Sequence, residues 1–235
     1  MNKKNIIVII TTMALLMICF NSCLSTSHKT NMTKAQTYPK FYEEKPMSIM
    51  IMPPINETDE KSAKESLYAT LTQTIAESGY YVFPTILISD MLKKNKRYDS
   101  EKIINTKLND FNTQFGADVL LFTIIKRWER QPMAQRVIVE IQYVFKSTKT
   151  NKIIYDRTGT YQYSTSSGTT SNNCLVNIIT SIASTVNAAI TDLTVVADKC
   201  NSATLDYDLP KGRYSPKYGT DTDEMAEYQE VKNSN

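Results

Sequence analysis

Three runs between residues 118 and 163 constrain the fold more than any other part of the chain. Residues 118–127 are aliphatic at their centre, Val119-Leu120-Leu121-Phe122-Thr123-Ile124-Ile125. Residues 136–146 alternate: Val137, Val139, Ile141, Tyr143 and Phe145 share one face, while Glu140, Gln142 and Lys146 share the other with Ile138 and Val144. A third run covers 153–163. A period of two over such lengths specifies strands. Pro132 and Asn151 mark the turns between them. The pattern predicts an antiparallel meander with one packed face and one that is at least partly wet.

The segments on either side set the rest of the architecture. Residues 47–52, Met-Ser-Ile-Met-Ile-Met, form a short apolar run stopped by Pro53-Pro54, which reads as a buried strand. Ser62-x-x-Glu65 has the form of a capping box, and Ala63, Leu67, Leu71 and Ile75 then recur every four residues as a helix face. Gly79 is placed to end that helix. Tyr81-Val82-Phe83 is a second short strand, closed by Pro84. Residues 86–92 predict a short helix, and 100–115 another, with Ile103, Ile104, Leu108, Phe111 and Phe115 toward the core. A long helix is expected over 175–197. Its apolar stripe is Leu175, Ile178, Ile182, Val186, Ala189, Leu193 and Val196; its other face is Asn, Ser and Thr, with no charge between Cys174 and Thr191. That face reads either as a mild core-helix surface or as a docking face, with Thr180 and Ser184 as its candidates. The order predicts an α+β or α/β fold. It has a βαβ start, a mixed sheet with a three-strand meander, helices on the sheet faces and a long C-terminal helix.

The N-terminus carries a different signal. Lys3 and Lys4 precede an apolar stretch over residues 6–20, interrupted only by Thr11 and Thr12, and Asn21-Ser22-Cys23 follows. A basic start, an apolar run too short for a comfortable span and a small residue before a cysteine form a secretory signal of the lipoprotein kind. Cleavage before Cys23 removes 22 of the 235 residues and leaves 213. The Cys23 sulfur would then carry diacylglycerol. Each buried CH₂ adds about 0.8 kcal/mol, so two or three acyl chains anchor stably. Phe20, in place of the commoner leucine, departs mildly from the pattern. Leu24 rather than aspartate follows the cysteine, which favours the outer membrane, on its periplasmic side. The expected organisation is a signal peptide over 1–22, a flexible tether over 23–45, one globular domain over 46–200, a C-terminal extension over 201–218 and a disordered tail over 219–235.

Charge and residue types exclude several functions. Without Lys3 and Lys4 there are 25 basic against 24 acidic side chains, which is no nucleic-acid footprint. The one histidine, His28, lies in the tether, so a histidine-based triad or a His-x-x-x-His zinc site has no material. Six glycines form no phosphate-cradling loop, and no cysteine pair has zinc spacing. No cofactor is expected. Cys19 leaves with the signal and Cys23 is lipidated, leaving Cys174 and Cys200. A disulfide between these two is open to an exported chain. A continuous helix between them would hold them about 39 Å apart, so pairing requires the chain to fold back. Asn56 and Glu57 follow the first strand, where open α/β sheets bind ligands; the alternative is that Pro53-Pro54 stop the strand and Asn56, Thr58 and Asp59 start the helix. Trp128, flanked by Arg127 and Arg130, is either an interface anchor or an edge packing residue.

Four stretches resemble a family of bacterial lipoproteins of unassigned function, known from a neisserial vaccine-antigen candidate. They are Ser48-Ile-Met-Ile-Met-Pro-Pro-Ile-Asn-Glu-Thr58, Gly79-Tyr-Tyr-Val-Phe-Pro84, Phe115-Gly-Ala-Asp-Val-Leu-Leu-Phe-Thr-Ile124 and Lys146-Ser-Thr-Lys-Thr-Asn151. The resemblance implies lipidation, a fold similar to the amino-terminal domain of TolB, and action with CsgG-like and other envelope lipoproteins in transport or assembly. It brings no catalytic residues. The expected function is therefore a non-enzymatic component of an envelope complex, with a homo-oligomer compatible. The alternative is a contact regulator of a periplasmic cell-wall synthesis enzyme.

Overall fold

The computed structural model describes residues 32–131, 133, 136–164 and 193–226. The meander is present as β4 (Val119–Gln131), β5 (Arg136–Ser147) and β6 (Ile153–Ser164), each antiparallel to the next. All five alternating apolar residues of β5, from Val137 to Phe145, are buried in one cluster. Asn151 turns the β5–β6 hairpin at φ 59°, a left-handed conformation that asparagine tolerates better than most residues.

The register of β4 against β5 shifts between Ile125 and Arg127. This bulge adds Lys126 and reverses which face the following residues occupy. Trp128, paired with Val139, therefore joins the core in place of Arg127.

β1 (Ser48–Ile51) lies between β4 and a two-residue edge strand, β3 (Tyr81–Val82), parallel to both. β2 (Ile55–Asn56) continues along β4 beyond Pro53-Pro54, giving the order β3-β1-β4-β5-β6 with β2 beside β4. Helices cover both faces. Ile49 and Ile51 join the cluster that holds Leu67, Leu71 and Ile75 of α3 (Ala63–Glu77) and Val196, Cys200 and Leu205 of α7 (Leu193–Asp208). Met50 and Met52 join the opposite cluster. It holds Ile88 and Leu92 of α4 (Thr85–Lys94), Ile103 of α5 (Ser100–Ile103) and Phe111 of α6 (Asn109–Phe115). A strand buried on both faces has no polar alternation, as the Met-Ile-Met run shows. The fold class is mixed α+β.

Four local expectations are corrected. The box between Ser62 and Glu65 does not form; Ser62 N and Oγ instead donate to Glu60 Oε1 at 3.0 and 2.6 Å. The helix expected over 100–115 is two helices. Lys146 Nζ donates to the carbonyls of Ile104 (2.6 Å) and Thr106 (3.4 Å), and Thr106 Oγ1 donates to the Ile103 carbonyl, so the backbone between them has partners outside a helix.

The remaining two concern the chain ends. Residues 33–44, expected within the tether, form α1 (Lys34–Thr37) and α2 (Pro39–Glu44). Thr33 and Gln36 make a reciprocal capping box, and Tyr38 and Phe41 are buried in the core. At the other end α7 runs to Asp208, beyond the expected stop at 197. The chain then stays packed as far as 226. Asp221 is buried, Ala226 N donates to the Met32 carbonyl at 2.9 Å, and Thr33 bridges Met225. The part of the expected helix over 175–192 lies outside the described residues.

Candidate functional site

The residues nominated from sequence do not converge. Asn56 Oδ1 accepts from Thr58 N (3.1 Å) and Thr58 Oγ1 (2.8 Å), and its amide donates to the Glu60 carbonyl. Glu57 pairs with Lys126 at 2.9 Å. These contacts shape the turn into α3, which is the structural alternative read from the sequence. Trp128 is buried in the core, so it is a packing residue rather than an exposed anchor. Cys200 is a free, buried thiol beside the Tyr143 hydroxyl and the Gly159 carbonyl; burial pushes its pKa up to about 12. Cys23, Cys174, Thr180 and Ser184 lie outside the described residues.

A site that the sequence did not nominate forms where the two ends of the fold meet. Gly79, at φ 92° after α3, lets the chain turn back toward residues 210–219. A Cβ there would lie 2.5 Å from Ser215 N, so only glycine allows this approach. Gly212 N donates to the Ser78 carbonyl at 2.9 Å and Tyr214 N to the Gly79 carbonyl at 3.0 Å. The Tyr80 hydroxyl donates to the Pro210 carbonyl. Between α2, Tyr80 and this extension lies a cleft of about 260 Å³, floored by Phe41, Tyr42, Tyr80 and Tyr218, with Lys45 and Lys211 among its lining residues.

Buried polar groups fasten the cleft's walls. Asp208 Oδ2 accepts from the hydroxyls of Tyr38 and Tyr155 (3.2 Å for Tyr155) and lies 3.5 Å from Arg157 Nε, with both charged side chains fully buried. Lys34 is buried and pairs with Glu224 at 2.8 Å, which lowers the Glu224 pKa. Asp221 accepts from Lys211 N at 2.7 Å, and Lys211 Nζ donates to the Asp206 carbonyl at 2.7 Å. Burial, then the positive charge of Lys34, lowers the Lys211 pKa.

This chemistry suits binding. Burial and, after it, the Asp221 carboxylate push the Tyr42 phenol above its ordinary value; burial raises Tyr80 likewise. Both stay neutral near pH 7 and offer ring faces and hydroxyls. Among the described residues no group of three or more His, Cys, Asp or Glu could hold a metal. No helix of the described residues is long and apolar enough to cross a membrane. The cleft draws its walls from residues 41–46, 80 and 210–222, which share no motif. The only signals in the sequence are the tyrosines and the Pro210, Gly212 pair outside any periodic run.

Residues 36–212 match the family described as "Putative lipoprotein GNA1162-like". The chain belongs to this family. That span takes in the buried aromatics of α2, the whole described sheet and α7. A relative from Neisseria meningitidis serogroup B, "Putative lipoprotein NMB1124/NMB1162", is 29% identical over 91 residues, 39% of this chain. The match spans 42% of that relative's length. Among solved structures, lipoprotein GNA1162 from Neisseria meningitidis superposes with a TM-score of 0.46 at 21% identity, covering 50% of this chain and 83% of that one. A PelC dodecamer from Paraburkholderia phytofirmans gives a TM-score of 0.43 at 11% identity, covering 68% of this chain and 87% of that one.

Proposed function

We propose that this lipoprotein is a non-enzymatic binding module held by acylated Cys23 at the periplasmic side of the outer membrane. It assembles there with other envelope lipoproteins, of the CsgG-like kind, in transport or assembly. The observation that carries this reading is the short basic start, apolar run and Ser22-Cys23 junction ahead of a domain of a lipoprotein family. The described site supports binding in preference to catalysis: its tyrosines are neutral and its carboxylates are engaged in holding the fold.

The cleft wall is the surface to test. Mild crosslinking of intact cells, followed by purification of the chain from membranes, should recover further lipoproteins in a defined ratio. Thr222→Trp, which fills the cleft from its wall, should weaken that recovery while leaving the chain folded. Recovery of monomer alone would contradict the assembly role. Recovery of a cell-wall synthase in place of lipoproteins would favour contact regulation of that enzyme.

A further inference from the structure

One end of the sheet carries both ends of the described chain. β1 and β4 both begin there, α7 ends there, and the start of the described chain pairs with residues 224–226 beside it. Cys23 and Thr33 are only ten residue steps apart. Fully extended, those steps span about 35 Å. A tether running to residue 45 would have allowed more than twice that reach.

The surface at this end is aromatic and basic. Met47, Tyr81, Tyr214 and Tyr218 are exposed at 38, 50, 65 and 42%. They are contiguous through the backbone: Tyr81 N donates to the Met47 carbonyl, Arg213 Nη1 lies 3.2 Å from Met47 Sδ, and Tyr214 is tied to Gly79. Arg213 and Lys217 are exposed among them, as is Lys45 at the cleft. Glu43 and Asp223 are exposed at its margin, while three other acids nearby are engaged or buried. Asp118 pairs with Lys149 at 2.7 Å, Glu224 pairs with Lys34, and Asp221 is buried. Tyrosine bodies with polar tips and long cationic side chains suit a membrane–water interface.

We propose that this end, centred on Arg213, Tyr214, Lys217 and Tyr218, rests on the anionic phospholipid surface that holds the anchor. Nothing beyond the lipidation in the proposed function is assumed. Docking fixes the orientation of the fold. The β2 turn and the far end of β4 point away from the bilayer.

The test uses the mature acylated chain, purified from membranes and reconstituted into phosphatidylethanolamine–phosphatidylglycerol vesicles. With Cys174→Ser in the background, a fluorophore is attached at Tyr214→Cys or, at the far end of β4, at Glu129→Cys. Lipids carrying a headgroup nitroxide should quench the first strongly and the second weakly. Arg213→Gln with Lys217→Gln should lower the docked-to-undocked ratio by about 5-fold per charge removed. Added salt should act in the same direction on the unmutated pair. Equal quenching at both positions, in protein that floats with the vesicles, overturns docking and leaves the anchor standing. Protein that does not float overturns the anchor, and docking with it.

Discussion

The two faces of the sheet are built on different principles. The face under α4, α5 and α6 is an apolar cluster of Met50, Met52, Ile88, Leu92, Phe111 and Phe122, with no buried ion pair among its described members. The face under α3 and α7 holds a larger apolar cluster, yet it also buries Arg157 against Asp208 and ties Tyr38 and Tyr155 to the same carboxylate. The first face relies on shape and on single polar contacts from Lys146 and Ser100 to backbone carbonyls. The second needs both chain ends in register, because Tyr38 comes from the N-terminal segment and Asp208 from the last residue of α7. A buried ion pair specifies that arrangement at some cost in stability, since desolvating two charges offsets much of their attraction. The difference locates the fold's discriminating contacts where the two ends of the described chain meet.

Asp208→Ala should break the comparison most sharply. It removes the carboxylate that Arg157, Tyr38 and Tyr155 share, and breaking a buried pair costs about 3–5 kcal/mol. Urea unfolding is the measurement. Replacing Arg157 by Met in the same chain should recover much of the loss, because well-packed apolar groups tolerate this burial better than a buried guanidinium that has lost its Asp208 carboxylate. Failure of the double variant to recover would show that the pair does more than balance charge.

Phe111→Ala tests the apolar face. The expected loss is about 3–5 kcal/mol, through cavity formation, with no recovery from a charge change elsewhere. Gly159→Ala comes next, at about 1–3 kcal/mol, because a Cβ there would lie 1.9 Å from Thr204 Oγ1 and force α7 away from β6. Thr204→Ala should relieve part of that strain.

The sheet was legible in the sequence because a period of two runs through β5, because β4 opens on an aliphatic run, and because a short apolar run between breakers describes β1. Its exceptions came from contacts remote in sequence. The helix break after Ile103 depends on Lys146, which bonds the Ile104 carbonyl from 42 positions later. The burial of Trp128 depends on a one-residue bulge that periodicity does not announce. Residues 33–44 carry only two core aromatics, Tyr38 and Phe41, too few to show a period, and their partners arrive from α7 and β6. The tyrosine-lined cleft was unreadable for the same reason, since three separate segments contribute to it.

Smaller effects sharpen the contrast in pH. Glu224 and Asp118 both have lowered pKa values: Lys34 holds the first, and Lys149 with the backbone N–H of Met47 holds the second against the opposing effect of burial. Their contributions are fully present above the ordinary carboxylate values of 4.5 and 3.8 and are lost as pH falls through the lower folded-state values. Glu224→Gln should therefore flatten the acid limb of the stability curve, whereas Phe111→Ala should shift the curve without changing its slope. At the β2 turn, Glu57→Gln removes an exposed pair with Lys126 and should cost at most about 0.5 kcal/mol.

Everything proposed for the molecule in the envelope depends on how its mature chain begins. Intact-mass and N-terminal peptide spectrometry of protein extracted from membranes tests that directly. The account predicts a first residue of Cys23 bearing diacylglycerol, with the modification and membrane retention both lost in Cys23→Ser. An unmodified N-terminus at any other residue, in protein still retained at the membrane, would contradict it.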